Sequence, residues 1–275
     1  MDLASLTAAF GSTFNPEAEP RKKAEEYLRN SGTQPGFGLA VLQLASTAGV
    51  EEHVRQAAAV AFKNHVKFQW APPLGDRMGA ALPPSIPDAE KEQIKGLFVG
   101  LMLSMPPKIR AQLSEALCII ANSDFPEKWQ SLLPELLSKM QSGDYAVING
   151  VLITADSVFR RYREQYKTVE LVRELKYVLD LFVKPMLELL KATSSFVAST
   201  TEPERLKQLL TAVLHIGNIF FSLNNIDLPG ARLPAAASLP PTPHAAERLF
   251  FRALRRGVRG HHGRVDGGVP QIPRI

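Results

Sequence analysis

Cysteine is almost absent from this chain of 275 residues. Cys118, in the apolar run LCII, is its sole example, so no disulfide framework and no zinc site of the usual thiolate kind can be built within it. Cys118 is expected to act as a small buried hydrophobe. The opening MDLASLTAAFGSTF lacks a basic start and a long apolar core. No segment reaches the roughly 18 uninterrupted apolar residues of a membrane span. A soluble, intracellular chain is therefore expected. Also missing are a Gly-rich phosphate loop, a GxSxG elbow, an HExxH helix and any paired metal-ligand spacing. His53, His65 and His215 fall on separate predicted helices, where surface or core roles outweigh catalysis. No catalytic residue, metal or cofactor is expected, and the chain is read as a non-enzyme.

The charge that is present is unevenly placed. The formal net charge is +5, yet residues 230–275 contain eight Arg, no Lys and only two acids. The preceding residues are left near neutral, at about −1, so the basic balance gives no reason to expect nucleic-acid binding by the folded part.

Apolar residues recur at spacings of three and four through most of the chain, and nothing alternates with period two for long enough to form a sheet. The clearest unit is Asp124 to Glu164. Trp129, Leu132, Leu133, Leu136, Leu137 and Met140 fall on one helical face, with Asp124 as N-cap, Pro126 in the first turn and Gly143 as the stop. Val147, Ile148, Val151, Leu152, Ala155, Val158, Phe159 and Tyr162 keep the period in the next helix. Neither stripe can be buried alone, so neighbouring pairs must stack.

Ten helices are expected in five pairs, beginning near Leu3, Pro16, Pro35, Glu51, Asp88, Pro107, Asp124, Val147, Val169 and Glu202. The residues from Ala71 to Pro87 read as a Pro-rich loop. Pro134 and Pro185 fall inside helices, where each is expected to bend its helix. The fold class is all-α, a HEAT or armadillo-like solenoid of about five helix pairs with a disordered C-terminal tail.

Several runs carry a family resemblance. DFPEKWQSLLPELL resembles the DFPxxWxxLLPxLL element of the importin-beta superfamily, and AAVAFKNHVKFQW, from Ala58 to Trp70, resembles its N-terminal domain. SGDYAVINGVLITADSVFRRYR and FFSLNNIDLP look like the CAS-type exportin branch. The resemblance covers residues 1–229. It implies an importin-beta N-terminal-like domain at 1–105, further HEAT repeats at 106–229 and a non-homologous tail at 230–275.

The implied function is that of a nuclear transport receptor fragment that binds Ran-GTP and takes part in exporting importin-alpha, shuttling between nucleus and cytoplasm. Contact with nuclear pore proteins and residence at the nuclear envelope fit the same picture. An import-type receptor and a HEAT scaffold without Ran binding stay open as alternatives. Carried over by motif, Lys63 and Asn64 are the Ran-binding candidates; Lys67, on the same exposed side one turn later, is a third from geometry. The competing reading makes these solvated charges, with Asn64 ordering a neighbouring repeat. Trp70, Asp124, Phe125, Pro126 and Trp129 are given structural roles in their motifs.

The tail departs from this pattern. Of its 46 residues, 27 are Ala, Arg, Gly or Pro, and helical periodicity is lost. Asp227-Leu228-Pro229 is followed by GARLPAAAS where the CAS family continues with acidic, aromatic sequence such as EFFED. A frameshift or alternative splice junction near Pro229 is expected, with an Arg-rich tail for acidic partners as its rival.

Overall fold

A sequence whose apolar residues keep helical spacing but whose helices are individually one-sided has to bury them against each other, and the computed structural model shows how. It describes residues 1–71, 85–163 and 168–224. Among these there are ten α-helices and no strand: α1 (Leu3–Ser12), α2 (Ala18–Ser31), α3 (Phe37–Ser46), α4 (Glu52–Gln69), α5 (Asp88–Ser104), α6 (Pro107–Asp124), α7 (Leu132–Met140), α8 (Tyr145–Phe159), α9 (Val169–Ser199) and α10 (Pro203–Asn224). A 3-10 turn, Arg160–Arg163, extends α8.

The odd-numbered helices pack in succession as one layer. Helices α4, α6, α8 and α10 pack in succession as a second, and α2 lies against α1 at the start of the stack. This is the helical-repeat architecture that the periodicity predicts. One apolar core runs through it from Leu6 and Phe10 to Ile219 and Leu223. Its helix α8 is buried nearly all round, including Gly150, Thr154, Asp156 and Ser157, because it meets α5, α6, α7 and α10 together.

Local chemistry fixes the ends. The Asp2 carboxylate accepts from the backbone N–H of Ala4 and Ser5 and caps α1, and Asp144 caps α8 through Ala146. At α3 the cap comes from elsewhere: the buried Glu90 carboxylate of α5 accepts from Gly36 N at 2.7 Å and Leu39 N at 3.0 Å. Gly36, at φ +83°, supplies the left-handed entry to that helix, and Gly143, at φ +75°, the turn after α7.

Three expectations need correction. Asp124 does not cap α7: it is the last residue of α6, its side chain is buried, and α7 begins only at Leu132. Trp129 consequently lies in the connection, though still buried. Pro134 sits in the first turn of α7, where its missing N–H has no intrahelical partner to lose, so it need not bend the helix. Pro185 does lie inside α9. Helix α10 is the one described helix long and apolar enough by composition to cross a membrane; here it is packed on α8 and α9. The loop expected from Ala71 to Pro87 lies mostly outside the described residues, and the tail lies wholly outside them.

Candidate partner-binding surface

The second layer offers the surface on which the candidate residues sit. On α4, Val54, Ala58, Ala59, Phe62, His65 and Val66 are buried in the stack, which turns Asn64 and Lys67 outward. Lys63 is different. Its ammonium lies 2.9 Å from Glu115 Oε2 and donates to Gln112 Oε1 at 2.8 Å, so it joins α4 to α6 and is only partly accessible. Lys67 Nζ stands 5.8 Å from the centroid of Phe68, whose ring is 60% exposed. Asn64 and Phe68 are four residues apart and share a side of the helix. Asn64, Lys67 and Phe68 are thus exposed together on the last turns of α4, with Lys63, Gln112 and Glu115 alongside.

Sequence reasoning missed three of these. Phe68 was signalled by an aromatic placed four residues after Asn64 on the polar side. Gln112 and Glu115 had no local signal, because their relation to Lys63 is set by helix packing.

Trp70 closes α4 rather than extending this surface. It is 1% exposed, and the Lys91 ammonium lies 5.7 Å from its ring centroid. The end of α4 is held further by Gln69 Nε2 donating to Gly32 O and by Gln69 O accepting from Ile86 N.

The DFPEKW run forms a buried junction behind the surface. Lys95 Nζ lies 3.3 Å from Asp124 Oδ2, 2.6 Å from Glu92 Oε1 and donates to Lys128 O at 2.5 Å. The Phe125–Pro126 peptide is cis. Trp129 meets Phe98 edge-on at 6.4 Å, and Phe125 lies beneath the Arg161 guanidinium at 5.4 Å. Arg161 also donates to Ala121 O and pairs with Glu174, which accepts from the Tyr162 hydroxyl as well. Burial pushes the Tyr162 phenol up to about 12, against the pull of Arg161. Asp124, Phe125, Pro126 and Trp129 therefore connect α5, α6 and α9, with Arg161, Tyr162 and Glu174 as partners that the motif did not announce.

Burial pushes the Cys118 thiol up, and it donates to Ser157 O between α6 and α8. Among the described residues no group of His, Cys, Asp and Glu is placed to hold a metal. Two clefts among the described residues are a shallow one of about 490 Å³ lined by Glu51, Glu52, His53, Gln56 and Lys108, and a small one of about 50 Å³ where Glu90, His65 and Gln69 meet. The second has the volume of an ordered water, not of a substrate.

Comparison with known proteins gives concordant results. The model of the importin-beta N-terminal domain matches residues 24–104, and the Cse1 model matches residues 158–231. Exportin-2 of Oreochromis niloticus is 39% identical and that of Homo sapiens 38% identical, each over 229 residues, which is 83% of this chain and 23% of the relative. The chain thus spans about a quarter of the length of the curated relatives it matches. Among solved structures, the exportin Cse1 in its cargo-free, cytoplasmic state aligns with a TM-score of 0.75 and 33% identity, covering 84% of this chain and 24% of that one. Lph2, a bidirectional nuclear transport receptor of S. cerevisiae, shares the fold at a TM-score of 0.66 and 16% identity, over 91% of this chain and 25% of its own.

Proposed function

Because this chain belongs, over its 229 aligned residues, to the exportin-2 (Cse1) family of the importin-beta superfamily, we propose that it is the Ran-GTP-binding portion of a nuclear export receptor whose cargo is importin-alpha. The observation that carries the reading is the identity of 38 to 39% to exportin-2 across nearly the whole helical body. The exposed end of α4 supports it by offering an amide, a cation and an aromatic ring side by side. Asn64 and Lys67 contact the GTPase directly. Lys63 contributes at the edge, since Glu115 and Gln112 already engage it.

The receptor does no chemistry. Ran-GTP and importin-alpha each raise the affinity for the other in the nucleus, and GTP hydrolysis on Ran in the cytoplasm removes that coupling. The chain accordingly shuttles through the nuclear pore and meets pore proteins on the way.

The test is binding of Ran loaded with a non-hydrolysable GTP analogue or with GDP, with and without importin-alpha. Binding selective for the GTP form, strengthened by importin-alpha, is expected. Asn64→Ala with Lys67→Ala should weaken it about tenfold, or about 1.4 kcal/mol, without altering helicity. Weakening by importin-alpha would indicate an import-type receptor. Indifference to the nucleotide would leave a HEAT scaffold unconnected with Ran.

A further inference from the structure

The solvent side of α4 is divided lengthwise into two chemistries. With about 100° between successive residues, Lys67 stands about 40° around the helix from Lys63, Asn64 about 100°, and Ala57, Phe68 and Ala61 about 120°, 140° and 160°. Lys63 marks the edge nearest α6, because its ammonium is held there by Gln112 and Glu115. The cations therefore line the α6 side. On the far side Ala57 and Ala61 are half-buried and Phe68 is 60% exposed, the most exposed phenylalanine among the described residues. Half-buried Val60 and exposed Asn64 run between the two rows.

We propose that Phe68 is the apolar anchor of the GTPase contact, and that the segment of Ran-GTP seated on α4 carries a bulky apolar side chain beside a carboxylate. This rests on the function inferred above and adds to it a side chain able to bury a large apolar area. Ala57 and Ala61 precede Phe68 on the same side of the helix, and their methyl groups fill little space. They leave a shallow apolar strip that ends at the ring, into which a partner's side chain can lie.

Charge selects the neighbour of that side chain. Lys63 already has its carboxylate in Glu115, whereas the Lys67 ammonium, 5.8 Å from the Phe68 ring centroid, has no acidic partner among the described residues. A carboxylate beside the partner's apolar residue supplies one. Protein interfaces gain most of their affinity from desolvated aromatic anchors and use charges at the rim for steering and register. On α4 Phe68 takes the first role and Lys67 the second.

The experiment measures, by calorimetry at several salt concentrations and temperatures, how Ran loaded with a non-hydrolysable GTP analogue binds the full chain and its Phe68→Ala, Phe68→Leu and Lys67→Ala variants. Phe68 lies outside the apolar core, so its variants keep the parent's helicity. Phe68→Ala is expected to weaken binding about tenfold at every salt concentration and to make the heat-capacity change of binding less negative. Phe68→Leu should restore most of the affinity. Lys67→Ala should cost affinity chiefly at low salt, where a rim charge is least screened. If the parent binds the GTP form selectively and Phe68→Ala binds as tightly, the proposal falls and the function inferred above stands. A loss on Phe68→Ala that fades with salt, as that of Lys67→Ala does, would overturn it as well. No GTP-selective binding by the parent would overturn both.

Discussion

Lys95 of α5 and Asp124 at the end of α6 form an ion pair of 3.3 Å in which neither side chain is more than 6% exposed. The lysine's remaining donors are taken by Glu92 and the Lys128 carbonyl, so the charge is removed from water but fully coordinated. Breaking such a pair from one side leaves an uncompensated buried charge, which costs more than the pair itself contributes.

Asp124→Ala should therefore lower stability by about 3–5 kcal/mol, whereas Lys95→Met combined with Asp124→Leu should lose much less. Urea unfolding of the two variants checks this. Equal losses would mean that the pair acts only as packing.

Two histidines should set the acid limb of stability. Burial holds His65 below the ordinary 6.5, with the Glu90 charge opposing; burial does the same at His215, where Asp156 opposes and Arg160 assists. As pH falls through 6.5 the unfolded chain takes up these protons first, so their stabilisation is complete above that value and lost on the way down to the folded one. The urea midpoint should drop between about pH 7.5 and about pH 5.5, and His65→Gln with His215→Gln should flatten that slope. A slope unchanged by the double substitution would assign the acid sensitivity to other groups.

Tyr162 governs the alkaline side. Its phenol is raised from 10.0 to about 12 by burial, so the unfolded chain loses its proton first and stability falls as pH rises between those values. Ultraviolet titration should find one tyrosine still neutral near pH 11, where an exposed phenol has mostly ionised. Tyr162→Phe removes the hydroxyl donated to Glu174 and should cost about 1–2 kcal/mol. If all tyrosines ionise together below pH 11 in the folded protein, the assignment is wrong.

The layout of the fold was legible because its code is local. Spacing of three and four located all ten helices, and Gly143 marked an end that the structure keeps. The junction at Asp124 was misread for a physical reason: an Asp before Pro and a leucine-rich run has the local signature of an N-cap. What decides its role is Lys95, 29 positions away in sequence. The same holds for Arg161 with Glu174 and for Lys63 with Glu115, whose pairing depends on how helices pack. Of the candidate surface, Asn64 and Lys67 were placed correctly outward by the stripe on α4. The partial burial of Lys63 became visible only with α6 in position.

Each successive pair in the second layer is joined by a polar tie: Lys63 to Glu115 from α4 to α6, the Cys118 thiol to Ser157 O from α6 to α8, and Asn149 to Gln208 O from α8 to α10. Sliding one helix past its neighbour by a single turn, about 5.4 Å, would break its tie outright. The joints differ in how they resist a change of angle: Lys63 ties α4 to α6 at one place, whereas α8 and its 3-10 extension are held to α10 at two places, by Asn149 on Gln208 O and by Arg163 on Asn218 O and Ser222 Oγ. A change of pitch in the stack is therefore opposed least at its N-terminal end and most at the α8–α10 seam.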